Sequence, residues 1–489
     1  MNSTASSERS HVVLAVLAAF TFFLMLLLLA PLYRMGLWLE QANEGWNAVH
    51  ASNAFRLSLY PARGHFFVNN YPPLWFYLTG ALSGIFGDPI FPGRVVAFLA
   101  FVATGFGIYA ILRQLGATRV AGFLGVLSFS AIMAGLLDMY VGLSEPQMLA
   151  HALVTNGTAI LIASKTRRGV IAAAFVITTG LFVKHIVVAL PLASAFWLFR
   201  FRREFFWRWV GACAALGVVS AALLLAIYGW NFVDNIFFPR SFELDTFRTS
   251  LGLISKVSVP LVAFCVVAWQ RRRIADEGIA FAGAAIAAGF ATHLVFGSAL
   301  GVSINSIFDL LIASSIGLGI AWDRLIVGDN GRESNFWRIT IVALLALRIA
   351  VGLDYNKNAV LPVFDRDARA LLLEQSSKMV ELRDTLKLTK GPVACETLSV
   401  CVWGGHASEV DLWKLRHERT VGPYLDTKML LTQISQGDFG AIVSFGAVAS
   451  AADDYFLVGL FEALKHSYSV PKLYGRSSLY LQKAIADKN

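Results

Sequence analysis

Eleven apolar runs, separated by short polar or basic stretches, constrain this chain more than any other feature. A helix needs about 20 predominantly apolar residues to cross a bilayer, and in lipid only helices and closed barrels satisfy their own backbone. The runs are residues 12–32, 94–112, 120–139, 147–163, 169–184, 186–199, 209–228, 251–269, 278–296, 305–322 and 336–352. They define a polytopic α-helical membrane protein of about eleven spans. Composition agrees, because 56% of the 489 residues are hydrophobic and 15% are charged, against about 25% charged in a soluble domain.

The net charge of +9 does not point to nucleic acid, since there is no arginine-rich tail and no nucleic-acid motif. The basic residues gather instead at alternate ends of the runs. Arg113 and Arg119, Lys165 to Arg168, Arg200 to Arg208, and Arg271 to Arg273 all fall on one side. The positive-inside bias makes that side cytoplasmic. With the N-terminus inside, an odd number of crossings puts residues 353–489 outside.

Two domains follow: residues 1–352 as a transmembrane domain with a long outer loop, 33–93, and residues 353–489 as a small soluble α/β domain. Within the loop, residues 72–87 are short for a span and begin with Pro72-Pro73, which suits the first turn of a helix lying at the interface. In the tail, helices are expected over 365–387 and 453–466, and strands at Val393–Cys395, Ala441–Phe445 and Leu479–Leu481. Cys213 and Cys265 lie in apolar runs. Cys395 and Cys401 lie in the tail and are free to pair if it is periplasmic.

The stretch from Asn43 to Trp75 holds Glu44, Gly45, His50, Arg56, Arg63 and His65 among many aromatics. A connection this long usually has a function beyond joining two spans. Other polar groups sit where a bilayer makes them costly, mostly at outer ends of runs. Asp138 and Glu145 flank one outer turn. Gln147, His151 and Thr155 follow at i, i+4 and i+8, on one helix face. Lys184 and His185 end another run, and Asn305 and Asp309 begin a third, again at i, i+4.

For each residue a plainer role stands beside the functional one: helix cap, interfacial anchor or interhelical hydrogen bond. Glu44, beside a glycine that permits close approach of a ligand, is either a site carboxylate or a solvated acid at the start of a helix over 45–56. Lys184 binds a lipid phosphate or snorkels to the interface. Arg94 and Arg240 meet phosphate or serve topology and loop packing. Trp75, Tyr77, Phe66 and Phe67 stack on sugars or belong to an interfacial girdle.

Taken in order, these residues resemble the GT-C superfamily of polyprenyl-phosphate-sugar-dependent membrane glycosyltransferases, nearest the lipid A aminoarabinose transferases and protein O-mannosyltransferases. Asn43-Glu44-Gly45-Trp46 stands at the acidic motif of the first outer loop. Tyr71-Pro72-Pro73-Leu74-Trp75 matches the signature before a juxtamembrane helix, and Arg94 follows as the arginine before the second span. Glu145-Pro146-Gln147 resembles the second acidic motif, Phe182-Val183-Lys184-His185 the lysine motif, and Asn305 to Asp309 the start of a late span. The resemblance covers roughly residues 12–325. One departure is clear: the family often has Asp-Glu where this chain has Asn43-Glu44.

The resemblance implies an inverting transfer on the periplasmic face of a bacterial inner membrane. A sugar leaves a polyprenyl phosphate for a lipid, glycan or protein acceptor. Glu44 is then the base and Glu145 a second acid. Lys184, His185, Arg94 and Arg240 hold the donor phosphate, and Asn43, Tyr71, Trp75, Gln147, His151, Asn305 and Asp309 contact substrate. No cofactor is required by the sequence; Mg or Mn would suit the carboxylate oxygens, and nothing in the spacing demands either. The rival readings are a transporter or flippase of lipid-linked sugar and a non-catalytic envelope-assembly subunit.

Overall fold

The computed structural model describes residues 2–483 apart from 57, 63–64, 275, 300, 326–331, 356, 407–409, 412–426 and 449–458. Arg63 of the first loop, and the first part of the helix expected over 453–466, lie outside the described residues. The chain begins with α1 (Asn2–Met35), α2 (Ala42–Ala54), α3 (Leu74–Phe86), α4 (Ile90–Gln114) and α5 (Arg119–Leu136). It continues with α6 (Gln147–Ala163), α7 (Arg167–Val183), α8 (Ala189–Phe201) and α9 (Arg203–Tyr228). Two short helices, α10 (Trp230–Ile236) and α11 (Leu244–Leu253), lead to α12 (Ser258–Gln270), α13 (Glu277–Gly297), α14 (Phe308–Arg324) and α15 (Arg332–Tyr355).

Eight described helices are long and apolar enough to cross a membrane. Each coincides with an expected crossing. The other three crossings are present as α6, α7 and α8, but they are only 17, 17 and 13 residues long. Length and apolarity alone therefore mark eight of the eleven, and α6, α7 and α8 fall short of that length. α3 has 13 residues, starts after Pro73 and stops at Gly87, whose φ of 82° is the left-handed conformation that ends helices.

α14 is buried along nearly its whole length, whereas α9 exposes Val218, Val219 and Leu223 on its outer face. A helix hydrophobic all round suits the centre of a bundle or the lipid boundary, and these two take one place each. Small residues bring the inner helices together. A Cβ added at Gly107 of α4 would lie 2.5 Å from the Thr155 hydroxyl oxygen of α6, the close approach that small residues permit between membrane helices.

The tail is a small α/β unit. α16 (Lys357–Phe364) packs on α1, and α17 (Arg366–Lys387) follows. The strands are β1 (Val393–Cys395), β2 (Ala441–Phe445), β3 (Lys472–Tyr474) and β4 (Ser477–Leu481), in the sheet order β1-β2-β4-β3. β1 and β2 are parallel, and the other pairings are antiparallel. Alternating side chains cover both faces. Val393, Cys395, Ala441, Val443 and Leu479 pack toward α17 and α18 (Leu398–Trp403), while Ala394, Ile442 and Tyr480 pack toward helices Thr427–Gln436 and Leu460–Ser467. Cys395 and Cys401 form a disulfide.

α2 joins the tail's core as well as the membrane core, where its Ala54 is buried. Its Ala48 and Val49 pack with α17, α18 and the sheet. A Cβ on Gly45 would lie 2.2 Å from the Ser399 backbone nitrogen, so only glycine lets α2 and α18 come this close. The close approach at Gly45 is thus made by α18 and not by a ligand.

Candidate active site

Pro146 turns the chain into α6, and the Glu145 carboxylate folds forward so that Oε2 accepts the Gln147 N–H at 2.9 Å. A negative charge at a helix N-terminus is favourable. Across from it, Lys184 caps the C-terminus of α7, where a cation is favoured for the converse reason. The Lys184 ammonium donates to Glu145 Oε1, and both side chains are almost wholly buried. Asn305 Nδ2 approaches the same oxygen at 3.4 Å, and the ammonium lies 4.5 Å from the centre of the Tyr71 ring.

The polar face of α6 continues inward. Gln147 Nε2 donates to the Asn305 carbonyl at 2.9 Å and lies 3.3 Å from His151 Nε2, while the Gln147 amide oxygen has no partner among the described residues. His151 Nδ1 is 3.6 Å from Asp309 Oδ1. Asp309 Oδ2 accepts the N–H groups of Val188 and Ala189, at 3.2 and 3.1 Å, and so caps α8 from another helix. Tyr140 stands beside Glu145, Tyr71, Asn43 and Ser303; burial and then the Glu145 charge push its phenol up.

His185 and Arg240 extend the positive side. Part of the His185 surface is open, yet desolvation, followed by the charges of Lys184 and Arg240, pushes its imidazole down to about 4. Arg240 is half-buried and has no ion pair among the described residues. Between α3, α7 and α9 an apolar groove of about 250 Å³ is lined by Pro73, Tyr77 and Phe182, close in sequence to Tyr71 and Lys184.

Three residues stand apart from their expected roles. Glu44 lies in the first turn of α2, and Arg94 Nε and Nη2 donate to its Oε1 and Oε2 at 2.8 and 2.6 Å. The Ser144 N–H adds a third bond at 2.9 Å. With three hydrogen bonds to its two oxygens, Glu44 is 2% exposed and tied to α4 and to the turn before α6. Arg94 does not reach for a phosphate. Its Nη1 donates to the Met35 and Leu37 carbonyls, at 3.0 and 2.7 Å, fastening the end of α1 to α2. Trp75 is fully buried in the membrane core and offers no face to a sugar.

Asn43 is half-buried, at the edge of the cluster beside Tyr140. Among the described residues, no group of three or more His, Cys, Asp or Glu side chains is placed to hold a metal ion. Sequence reasoning did not find the Arg34–Asp138 ion pair, at 2.8 Å, which ties α1 to the turn after α5. Lys184 over Tyr71 was also missed, although both belong to motifs already singled out.

The fold and this cluster define a polytopic helical membrane protein with a small C-terminal α/β unit. No protein-family model matches the chain, and no curated protein matches it. Among solved structures it is similar to ArnT from Cupriavidus metallidurans bound to undecaprenyl phosphate, at TM-score 0.60 and 14% identity, with 98% of each chain covered. It is also similar to the apo state of that ArnT, at TM-score 0.57 and 15% identity, covering 97% of this chain and 98% of the other. At these identities the likeness establishes the fold.

Proposed function

We propose that the chain is an inverting glycosyltransferase that moves a sugar from a polyprenyl-phosphate donor to a cell-envelope acceptor on the periplasmic face of the inner membrane. One observation carries the reading: a buried lysine–carboxylate pair whose lysine follows, two residues on, from Phe182 in the lining of an apolar groove. The groove between α3, α7 and α9 suits an isoprenoid chain, and Lys184 with Arg240 supplies positive charge for its phosphate. The solved ArnT of the same fold was crystallised with undecaprenyl phosphate. The disulfide and the basic-loop bias support a periplasmic tail beyond residue 352.

In the resting chain Lys184 holds Glu145. When a donor phosphate arrives, Lys184 exchanges partners, and the Glu145 carboxylate is released beside the anomeric carbon. An acceptor hydroxyl then attacks that carbon and the carbon–oxygen bond to phosphate breaks. The hydroxyl proton passes to Glu145, and polyprenyl phosphate leaves, its charge met by Lys184 and Arg240. His185 is neutral near pH 7 and contributes a hydrogen bond rather than charge. The free Gln147 carbonyl oxygen and Asn305 orient the sugar. Glu44, held by Arg94, is a positioning residue, since the Ser144 N–H it accepts is next to Glu145.

The test is photo-crosslinking with an isoprenoid-phosphate analogue. Removing one partner of a buried ion pair costs about 3–5 kcal/mol, so Lys184→Met is made together with Glu145→Gln, which leaves no orphaned charge. The folded double variant is expected to lose crosslinking. Unchanged crosslinking would mean that Lys184 serves only the ion pair, and the glycosyltransferase reading would lose its main support.

A further inference from the structure

A second and larger cavity, of about 740 Å³, opens between the α1–α2 connection, α16–α17 and the end of the sheet. It shares no lining residue with the apolar groove. Its size falls in the range of small-molecule sites, about 300–1,000 Å³. Its charges are three cations, Arg34, Lys378 and Arg476, and three anions, Glu40, Glu374 and Glu396. Most are already answered. Arg34 pairs with Asp138 at 2.8 Å and Lys378 with Glu374 at 2.6 Å. Glu40 accepts the Ser477 hydroxyl and lies within the field of Arg476. Glu396 accepts the Phe445 N–H at 2.6 Å.

A wall of balanced charge gives no attraction to a polyanion, because the field a phosphate would follow is cancelled locally. It still offers many fixed donors and acceptors. Phe445 adds an aromatic ring with 48% of its surface exposed. Fixed polar groups around an exposed ring suit a neutral polyhydroxylated chain, whose hydroxyls need hydrogen bonds and whose C–H faces pack on aromatics.

A neighbouring space lies between the cavity and the turn that carries Glu145. This space, of about 140 Å³, shares Arg34, Leu39, Glu40 and Gln41 with the cavity and reaches Glu44, Arg94 and Leu143. Leu143 is two residues from Glu145 along the same turn. We infer that the large cavity is the acceptor site of the proposed transfer, and that the acceptor enters it as a neutral glycan chain. This rests on the glycosyltransferase reading. It makes the approach to Glu145 two-sided, with the lipid donor arriving by the apolar groove and the glycan by the polar cavity.

The full chain, purified in detergent, is applied to an array of oligosaccharides that includes neutral, phosphorylated and carboxylated members. Neutral glycans are expected to be retained in preference to the anionic ones. Phe445→Ala and Gln375→Ala are each expected to weaken that retention about tenfold, the size of a lost stacking or hydrogen-bonding contact. Both residues border the cavity away from Glu145, and a thermal-unfolding scan shows whether each variant is folded. Crosslinking of the isoprenoid-phosphate analogue is expected to be unchanged in both. Preference for anionic glycans, no glycan retention, or neutral-glycan binding indifferent to both substitutions overturns the inference. Failure of the glycosyltransferase reading itself shows in the crosslinking, which the array does not measure.

Discussion

Glu44 and Arg94, fifty positions apart, meet in a two-pronged ion pair of 2.8 and 2.6 Å that closes the first long connection onto the start of α4. Planar carboxylate and planar guanidinium fit edge to edge, and Arg94 spends its remaining N–H groups on carbonyls at the end of α1. A pair so placed fixes geometry. Arg94→Ala leaves the Glu44 carboxylate buried without its partner, and the expected cost is about 3–5 kcal/mol of stability. The measurement is thermal unfolding in detergent. Arg94→Lys is expected to recover only part of the loss, because an ammonium cannot reproduce the fork. Full stability of Arg94→Ala would show that the pair holds nothing.

A second expectation concerns pH. The His185 imidazole is pushed down to about 4, below the ordinary value of about 6.5. The unfolded chain therefore binds a proton through that interval and the folded chain does not, so His185 lowers stability as pH falls from about 6.5 toward 4. His185→Asn is expected to flatten that part of the stability curve. Donor crosslinking is expected to show no step between about pH 6 and 8, where the ring stays neutral. A step near 6.5 that disappears in His185→Asn would mean that the ring carries charge in the donor complex.

The disulfide and the glycine contact give a third. Cys395 and Cys401 bracket the start of α18, and α18 lies directly on Gly45. Replacing both cysteines by serine is expected to destabilise the tail by about 2 kcal/mol, the loop-entropy value for so short a loop. Gly45→Ala is expected to do more, since its Cβ meets backbone that cannot yield, and to lower transfer by displacing the first turn of α2. Thiol labelling of denatured, unreduced protein reads the bond directly: full labelling of both cysteines would remove the disulfide from the account.

How much of this was legible in the sequence depends on the range of each interaction. The apolar runs mark every membrane helix, because periodicity and hydropathy are local. The run 147–163 coincides with α6, while those at 169–184 and 186–199 are offset by one to three residues from α7 and α8, whose ends are set by caps and turns. The strands at Val393–Cys395 and Ala441–Phe445 coincide with their apolar runs, whereas β3 escapes because Lys472 and Leu473 are exposed on an edge. Spacing put Gln147 and His151 on one face and sidedness put Lys184 near Glu145. Nothing local says that Glu44 belongs to Arg94, or that Gly45 faces Ser399 some 350 residues later. Those partners are chosen by packing. The surroundings of Glu44 differ from those expected for this reason: its neighbours in the chain look like a ligand site, and its neighbours in space are a guanidinium and a backbone N–H.

The sharpest test compares the two carboxylates. Glu145 is the acid whose cation the proposed donor would draw away, while both oxygens of Glu44 stay bonded to groups that have no reason to leave. Glu145→Gln keeps the shape and the bond from the Gln147 N–H, yet it cannot take a proton. Loss of a positioned base costs about 10²–10⁴-fold in rate, and transfer by this variant is expected to fall by that factor. Donor crosslinking is expected to hold or rise, because Lys184 no longer has a charged rival for the phosphate. Glu44→Gln is expected to keep measurable transfer per folded molecule while losing stability. Single-turnover transfer and crosslinking, made on the same preparations, separate the two. A well-folded Glu44→Gln that binds donor but transfers nothing, beside an active Glu145→Gln, would return the base to Glu44. Full activity in both would remove the carboxylate mechanism and put the transporter or assembly reading ahead.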